Sequence, residues 1–320
     1  MRHRSLLLCS LLAVPFLATA PRVGTGMAST QTTPQLGVRA TPRLELHSPI
    51  RAEVAPSGNL LITDHDERRI VEVRPNGFKK IREIELRGHP IAVAAHGGFI
   101  YVSHDRTDEV QVFQTNGSQV GSLGGPHVVF EKANDIAVDE TLGHLVVVDS
   151  VAKVVRVFDV SQNPLGTEIL TIPPAGPDNS LLACPAAVAV DAARAEILVS
   201  DFGDTGISIK PRVQIFNYQG NLVSSISGAQ GMMGYRFFRP QGLTVNEFGR
   251  IYLADSYLGQ VLVLDRMTGD TITTFGSFGT AAGELRMPLD VAIAGPKRNL
   301  YVTNNGAGRI EIFPLGGQVQ

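Results

Sequence analysis

Six polar residues stand at the ends of six similar apolar runs: Asp64, His104, Asp149, Asp201, Asp255 and Asn304, spaced 40, 45, 52, 54 and 49 residues apart. Gathered at one centre, four carboxylates and an amide would suit a hard cation such as calcium. Spread one per repeat, each instead does the same local job. A short polar side chain at a strand end accepts backbone N–H groups from the turn that follows. The regular spacing favours that structural role.

A second chemistry is available to the histidines. Five of the eight, His47, His65, His89, His104 and His127, fall in corresponding loops of the first three repeats, with Asp64, Asp66 and Asp105 close by in sequence. Imidazole and carboxylate together suit zinc. No tight ligand spacing accompanies them, however, and loop tips of neighbouring repeats sit far apart for tetrahedral closure. The expectation is no metal and no cofactor. Nucleophilic catalysis has equally little to build on: no Ser-His-Asp or Cys-His spacing can be argued, and Cys184, ahead of Pro185 in an apolar stretch, reads as a packed small residue. No catalytic residue is assigned.

These residues are positioned by strands. Each copy contains a short strand such as GLTV, a strand ending in the polar residue, a third such as VLVLD and a fourth such as TITTF. Apolar and polar residues alternate with period two, and Pro75-Asn76-Gly77, Asn116-Gly117 and Gln219-Gly220-Asn221 punctuate them as turns. Four antiparallel strands cannot bury both faces alone, but six such units stacked around a channel can. The fold class predicted is all-β, a six-bladed β-propeller. The last copy stops after its third strand, and the alternating stretch Arg43 to His47 is expected to supply the fourth, closing the ring from the N-terminus. Phe130, Leu182, Phe237 and Leu285, each three residues before a proline position, are expected to wedge between blades.

The segments FGSFGTAAGELRMPLDVAI with NLYVTNNGAGRIEIF, and GMMGYRFFRPQGLTVNEFGRIYLADSYLGQVLVLD, resemble NHL repeats. The resemblance covers about residues 43 to 313, is strongest in the fifth and sixth copies, and implies a propeller that serves lyases, lactonase relatives and binding scaffolds alike. The calcium-dependent lactonases of similar architecture carry Asn or Asp one residue after the proline position in several blades. Here Ile50, Ile91, Asn134, Ala186, Gln241 and Leu289 stand there, so only Asn134 fits. The amidating lyases carry a histidine after that proline, and this chain has none. NHL repeats usually place Gly one residue further on, as Gly242 does. Arg51, Asp135 and Asp290 replace it in blades one, three and six, which implies charge at the channel mouth. An Arg51–Asp290 pair plugging the ring is expected, with Asp135 left free to orient a bound group.

The long connections, residues 173–185, 201–212, 227–240 and 276–288, share one face of this architecture. Loops longer than connection requires are where binding concentrates. Phe202, Met232, Met233, Tyr235 and Phe278 would give that face an adaptable apolar element.

At the N-terminus, Arg2 and Arg4, the apolar run from Leu6 to Leu17 and the small residues Ala18 and Ala20 have the pattern of an export signal. Cleavage is expected after Ala20 or Ala28, so residues 1–28 are read as signal, 29–41 as a Thr-, Pro- and Gly-rich leader and 42–320 as the propeller. The destination is periplasmic or secreted, with no membrane insertion after cleavage. The near balance of 28 basic and 30 acidic residues gives no footprint for nucleic acid. The expected function is non-catalytic protein or peptide binding, or assembly, through the long-loop face. The alternative is a metal-dependent lyase or hydrolase on the same face.

Overall fold

A computed structural model describes residues 39–40, 44–173, 182–204, 206, 208–230 and 234–316. Six antiparallel four-stranded sheets make a six-bladed β-propeller. The innermost strands are Pro49–Val54, Pro90–His96, Ala133–Asp139, Pro185–Asp191, Pro240–Val245 and Pro288–Ala294, and they open blades 1 to 6 in turn. Among the described residues, no helix is long and apolar enough to cross a membrane.

The second strand of each blade is apolar at almost every position, as a strand buried on both faces must be. Leu60–Asp64, for instance, is buried throughout. The core is accordingly divided into six clusters, one between each pair of adjacent blades. Phe130, Leu182, Phe237 and Leu285 each reach 1% exposure or less in those clusters, as wedges. At the junction of blades 1 and 2 the wedge position is taken by Arg87, three residues before Pro90, and the half-buried Leu86 packs there instead. That junction holds a cleft of about 250 Å³ lined by Ala55, Pro56, Leu61, Ala95 and Phe99 among others.

Ring closure differs from expectation in its residues. The outer strand of blade 6 is Arg39–Ala40, antiparallel to Arg309–Pro314 with Arg39 opposite Ile312 and Ala40 opposite Glu311. Leu44 to His47 form no strand. Their alternation has another cause: Leu46, three residues before Pro49, turns inward to 6% exposure and wedges blade 1 against blade 6, in the position Phe130 holds in blade 3. The closing pair lies four residues upstream, within the stretch read as leader.

One irregularity matters for the site. In all six blades the ladder between the first and second strands shifts register just after the first residue, as between Pro49 and Ala52 or Pro288 and Asp290. Bulges re-aim side chains next to functional sites. Here they free the residue one place after the proline position from regular pairing in every blade, and the next residue as well in blades 1, 2 and 5.

Candidate functional site

The recurring carboxylates are anchors, and they reach further than the following turn. Asp255 accepts the amides of Tyr257 and Leu258 at 2.9 and 3.0 Å, and also those of Phe238 and Arg239 at 2.6 and 3.1 Å in the segment entering the blade. Asp149 binds Glu131, Lys132 and Ala152 amides, and Asp201 those of Ala183, Cys184 and Gly203. Asp64 takes His47 and Ser48 and pairs with Arg69 at 3.0 Å. Asn304 accepts from Arg286 and donates to the Glu284 carbonyl. Each anchor therefore ties the incoming segment to its own strand end. His104 departs from the series: its buried ring lies against Gly88, where an added Cβ would stand 2.7 Å from Nδ1, and burial lowers its pKa.

The channel charges form one closed constellation. The Arg51 guanidinium crosses the ring, with Nε 3.1 Å from Asp135 Oδ1 and Nη1 3.7 Å from Asp290 Oδ1. It donates to the carbonyls of Leu289, Asn134 and Ala186 at 3.0, 3.3 and 3.1 Å. The carboxylates are held in turn: Asp135 accepts Val188 N–H at 3.0 Å and Asp290 accepts Ala52 N–H at 2.9 Å. The expectation that Asp135 has no basic neighbour is thus corrected. Arg51 is long enough to span from blade 1 to blade 3, and Asp135 is its nearer partner. Asn134 donates to the Ala186 carbonyl at 2.6 Å, and Gln241 donates to Ser256 Oγ at 3.3 Å. Gly242 is required by close approach, since a Cβ there would lie 1.9 Å from Asp290 Oδ1.

Sequence reasoning missed Glu53, two residues beyond Arg51 and enclosed by the channel although part of its surface remains accessible. Burial, then the charges of Asp290 and Asp135, raise its pKa well above the carboxylate range. Burial likewise raises Asp135 and pushes Asp290 up to about 7, against the pull of Arg51. Two carboxylates face the one guanidinium, and the negative charge they add disfavours ionisation of Glu53. The side chains Ile50, Ile91 and Leu289 form an apolar layer beside this group.

The long-loop face carries a different surface. Because Asp255 ties Phe238 and Tyr257 to one carboxylate, their rings meet with centroids 5.1 Å apart, and Tyr235 stacks on Phe238 at 4.7 Å. Phe238 and Tyr257 remain 39% and 49% exposed, and Phe278 63%. Lys210 donates to Tyr235 Oη at 3.2 Å, and the Arg239 guanidinium lies 5.5 Å from the Phe202 ring centroid. Neither cation has a carboxylate partner among the described residues. Phe202 and Tyr235 are therefore brought into one aromatic and cationic patch. Met232 and Met233 lie outside the described residues. Phe238 and Tyr257 went unread, although their places, two residues before Pro240 and two after Asp255, are where an anchor brings segments together.

On the same face, at the junction of blades 1 and 2, one ring nitrogen each of His65 and His89 and a carboxylate oxygen of Asp66 lie within 4.8 Å of one another. The expectation that loop tips of adjacent blades stay too far apart is corrected for this group.

No protein-family model matches the chain, and no curated protein matches it in sequence. Solved structures do match in fold. Hydrazine synthase of Kuenenia stuttgartiensis superposes with a TM-score of 0.61 at 13% identity, covering 91% of this chain and 99% of that one. A luciferin-regenerating enzyme gives 0.62 at 15%, covering 88% and 96%. A protein of unknown function from Bacteroides thetaiotaomicron gives 0.63 at 18%, covering 87% and 72%. At these identities the likeness is one of fold.

Proposed function

We propose that the chain is an exported NHL-repeat propeller that binds a protein or peptide without catalysis, through the aromatic patch of its long-loop face. The observation that carries this reading is the run Tyr235–Phe238–Tyr257, stacked, partly exposed and bordered by Lys210 and Arg239. Rigid aromatic side chains offer large contact area at small entropic cost, and binding energy concentrates on such anchors. Cations at the border without carboxylate partners among the described residues favour a ligand that brings its own carboxylates. The partner is accordingly an acidic segment with apolar or aromatic anchors.

The reading is tested by selecting random peptides displayed on phage against the purified protein. Selected peptides should be rich in Asp, Glu and apolar residues. They should lose at least tenfold in affinity for a Phe238→Ser/Tyr257→Ser variant that melts at the wild-type temperature, consistent with the 2 kcal/mol or so typical of a hot-spot residue. Peptides that bind this variant as tightly as the wild type would refute it.

A further inference from the structure

We infer that His65, Asp66, His89 and Asp105 constitute a site for a zinc-class divalent ion that staples blade 1 to blade 2. The inference is independent of the peptide-binding reading. His65 and Asp66 follow Asp64 in the second-to-third-strand turn of blade 1. His89 immediately precedes Pro90 of blade 2, and Asp105 follows His104. The ring centroids of His65 and His89 are 4.9 Å apart. Ligand atoms of these two and of Asp66 fall within 4.8 Å of one another, and His65 Nε2 is 3.8 Å from Asp105 Oδ2. Tetrahedral zinc with bonds of 2.0–2.1 Å separates its ligand atoms by about 3.3 Å. Turn side chains close that difference with small rotations.

Two further features point to a cation rather than to a chance cluster. The first is orientation. His89 Nδ1 lies 2.9 Å from the His65 carbonyl, while His65 presents Nδ1 beside Asp66 Oδ1 at 2.8 Å and turns its Nε2 to the Asp105 carboxylate at 3.8 Å. Metal-binding imidazoles are held by such carbonyl and carboxylate partners, which fix the tautomer and present the other nitrogen as a lone pair. The second is that a positive charge already occupies the lone pair: Arg68 Nε donates to His89 Nε2 at 3.2 Å. Arg68 sits at φ 53°, in the left-handed region of the same turn. It stands where the ion would stand and competes with it.

The location gives the ion a task. Blade 2 has His104 in place of the anchoring carboxylate and Arg87 at the wedge position. Ligands donated from both blades would tie the long-loop side of this junction together. Imidazole with carboxylate selects zinc and its first-row neighbours over calcium or magnesium.

The test uses untagged, chelator-stripped protein titrated with zinc chloride by calorimetry, with melting temperature followed in parallel. One equivalent should bind and raise the melting temperature until the site saturates, and cobalt should give the intense visible absorption of four-coordinate sites. His65→Ala or His89→Ala should each weaken binding more than tenfold, and Asp105→Asn about tenfold. Arg68→Gly, compatible with the positive φ, should tighten it, and His47→Ala should leave it unchanged. Absence of saturable binding, or equal affinity in His65→Ala and His89→Ala, would overturn the inference. So would binding abolished by His47→Ala.

Discussion

A carboxylate at the end of a strand can be read from one sequence as a repeated feature, but the reach of its bonds cannot. Asp255, fully buried, satisfies four amides from two segments that are remote in sequence. Asp255→Ala should therefore cost about 3 kcal/mol in urea unfolding, since buried donors left unpaired are penalised individually. A cost below about 0.5 kcal/mol, the range of ordinary surface changes, would contradict the anchoring role. Asp290 makes a prediction of opposite character. Its pKa, about 7 in the folded chain, lies above the ordinary value of about 3.9. The folded state then holds a proton that the unfolded state releases, so this stabilisation is complete below about pH 4 and disappears as pH rises through about 7. Glu53 and Asp135, also raised, titrate in both proteins when wild type is compared with Asp290→Asn. Wild type should lose stability relative to that variant between pH 4 and 8, and a parallel pair of pH profiles would remove the assignment. Alignment of the repeats placed Arg51, Asp135 and Asp290 at one level of the channel. It did not reveal that Arg51 spans to blade 3, because side-chain reach across a ring depends on the ring diameter.

Strands and blades were the most legible scale. Period-two alternation, turn residues and spacing sufficed to place the four-strand unit, since each blade repeats the same burial pattern. The closing strand was displaced because a wedge residue, Leu46, and a strand residue leave the same mark in a short alternating stretch. Arg39–Ala40 adds only a two-residue ladder, yet it covers an otherwise unpaired edge at Arg309–Pro314. A chain beginning at Pro42 should melt roughly 2 to 6 °C below one beginning at Gly37, the range expected for 1 to 2 kcal/mol in a domain of this size. Equal melting temperatures would show that the pairing closes nothing. The junction of blades 1 and 2 stands out in sequence only through two substitutions, Arg87 and His104.

At the scale of the molecule, the fold holds its chemistry-bearing residues in three places with different uses. The anchors build the loop face, the channel charges neutralise one another, and the exposed aromatic patch is left with unsatisfied surface. Phe202 and Tyr235 were legible as loop aromatics, whereas Phe238 and Tyr257 became a site only when the Asp255 carboxylate drew their segments together. The most direct measurement is hydrogen–deuterium exchange of the protein with and without a saturating display-selected acidic peptide. Protection should concentrate in residues 234–241 and 255–259 on the long-loop face. Protection confined to the opposite rim, at the turns 56–59, 97–98 and 246–249, would contradict the assignment of binding to this face.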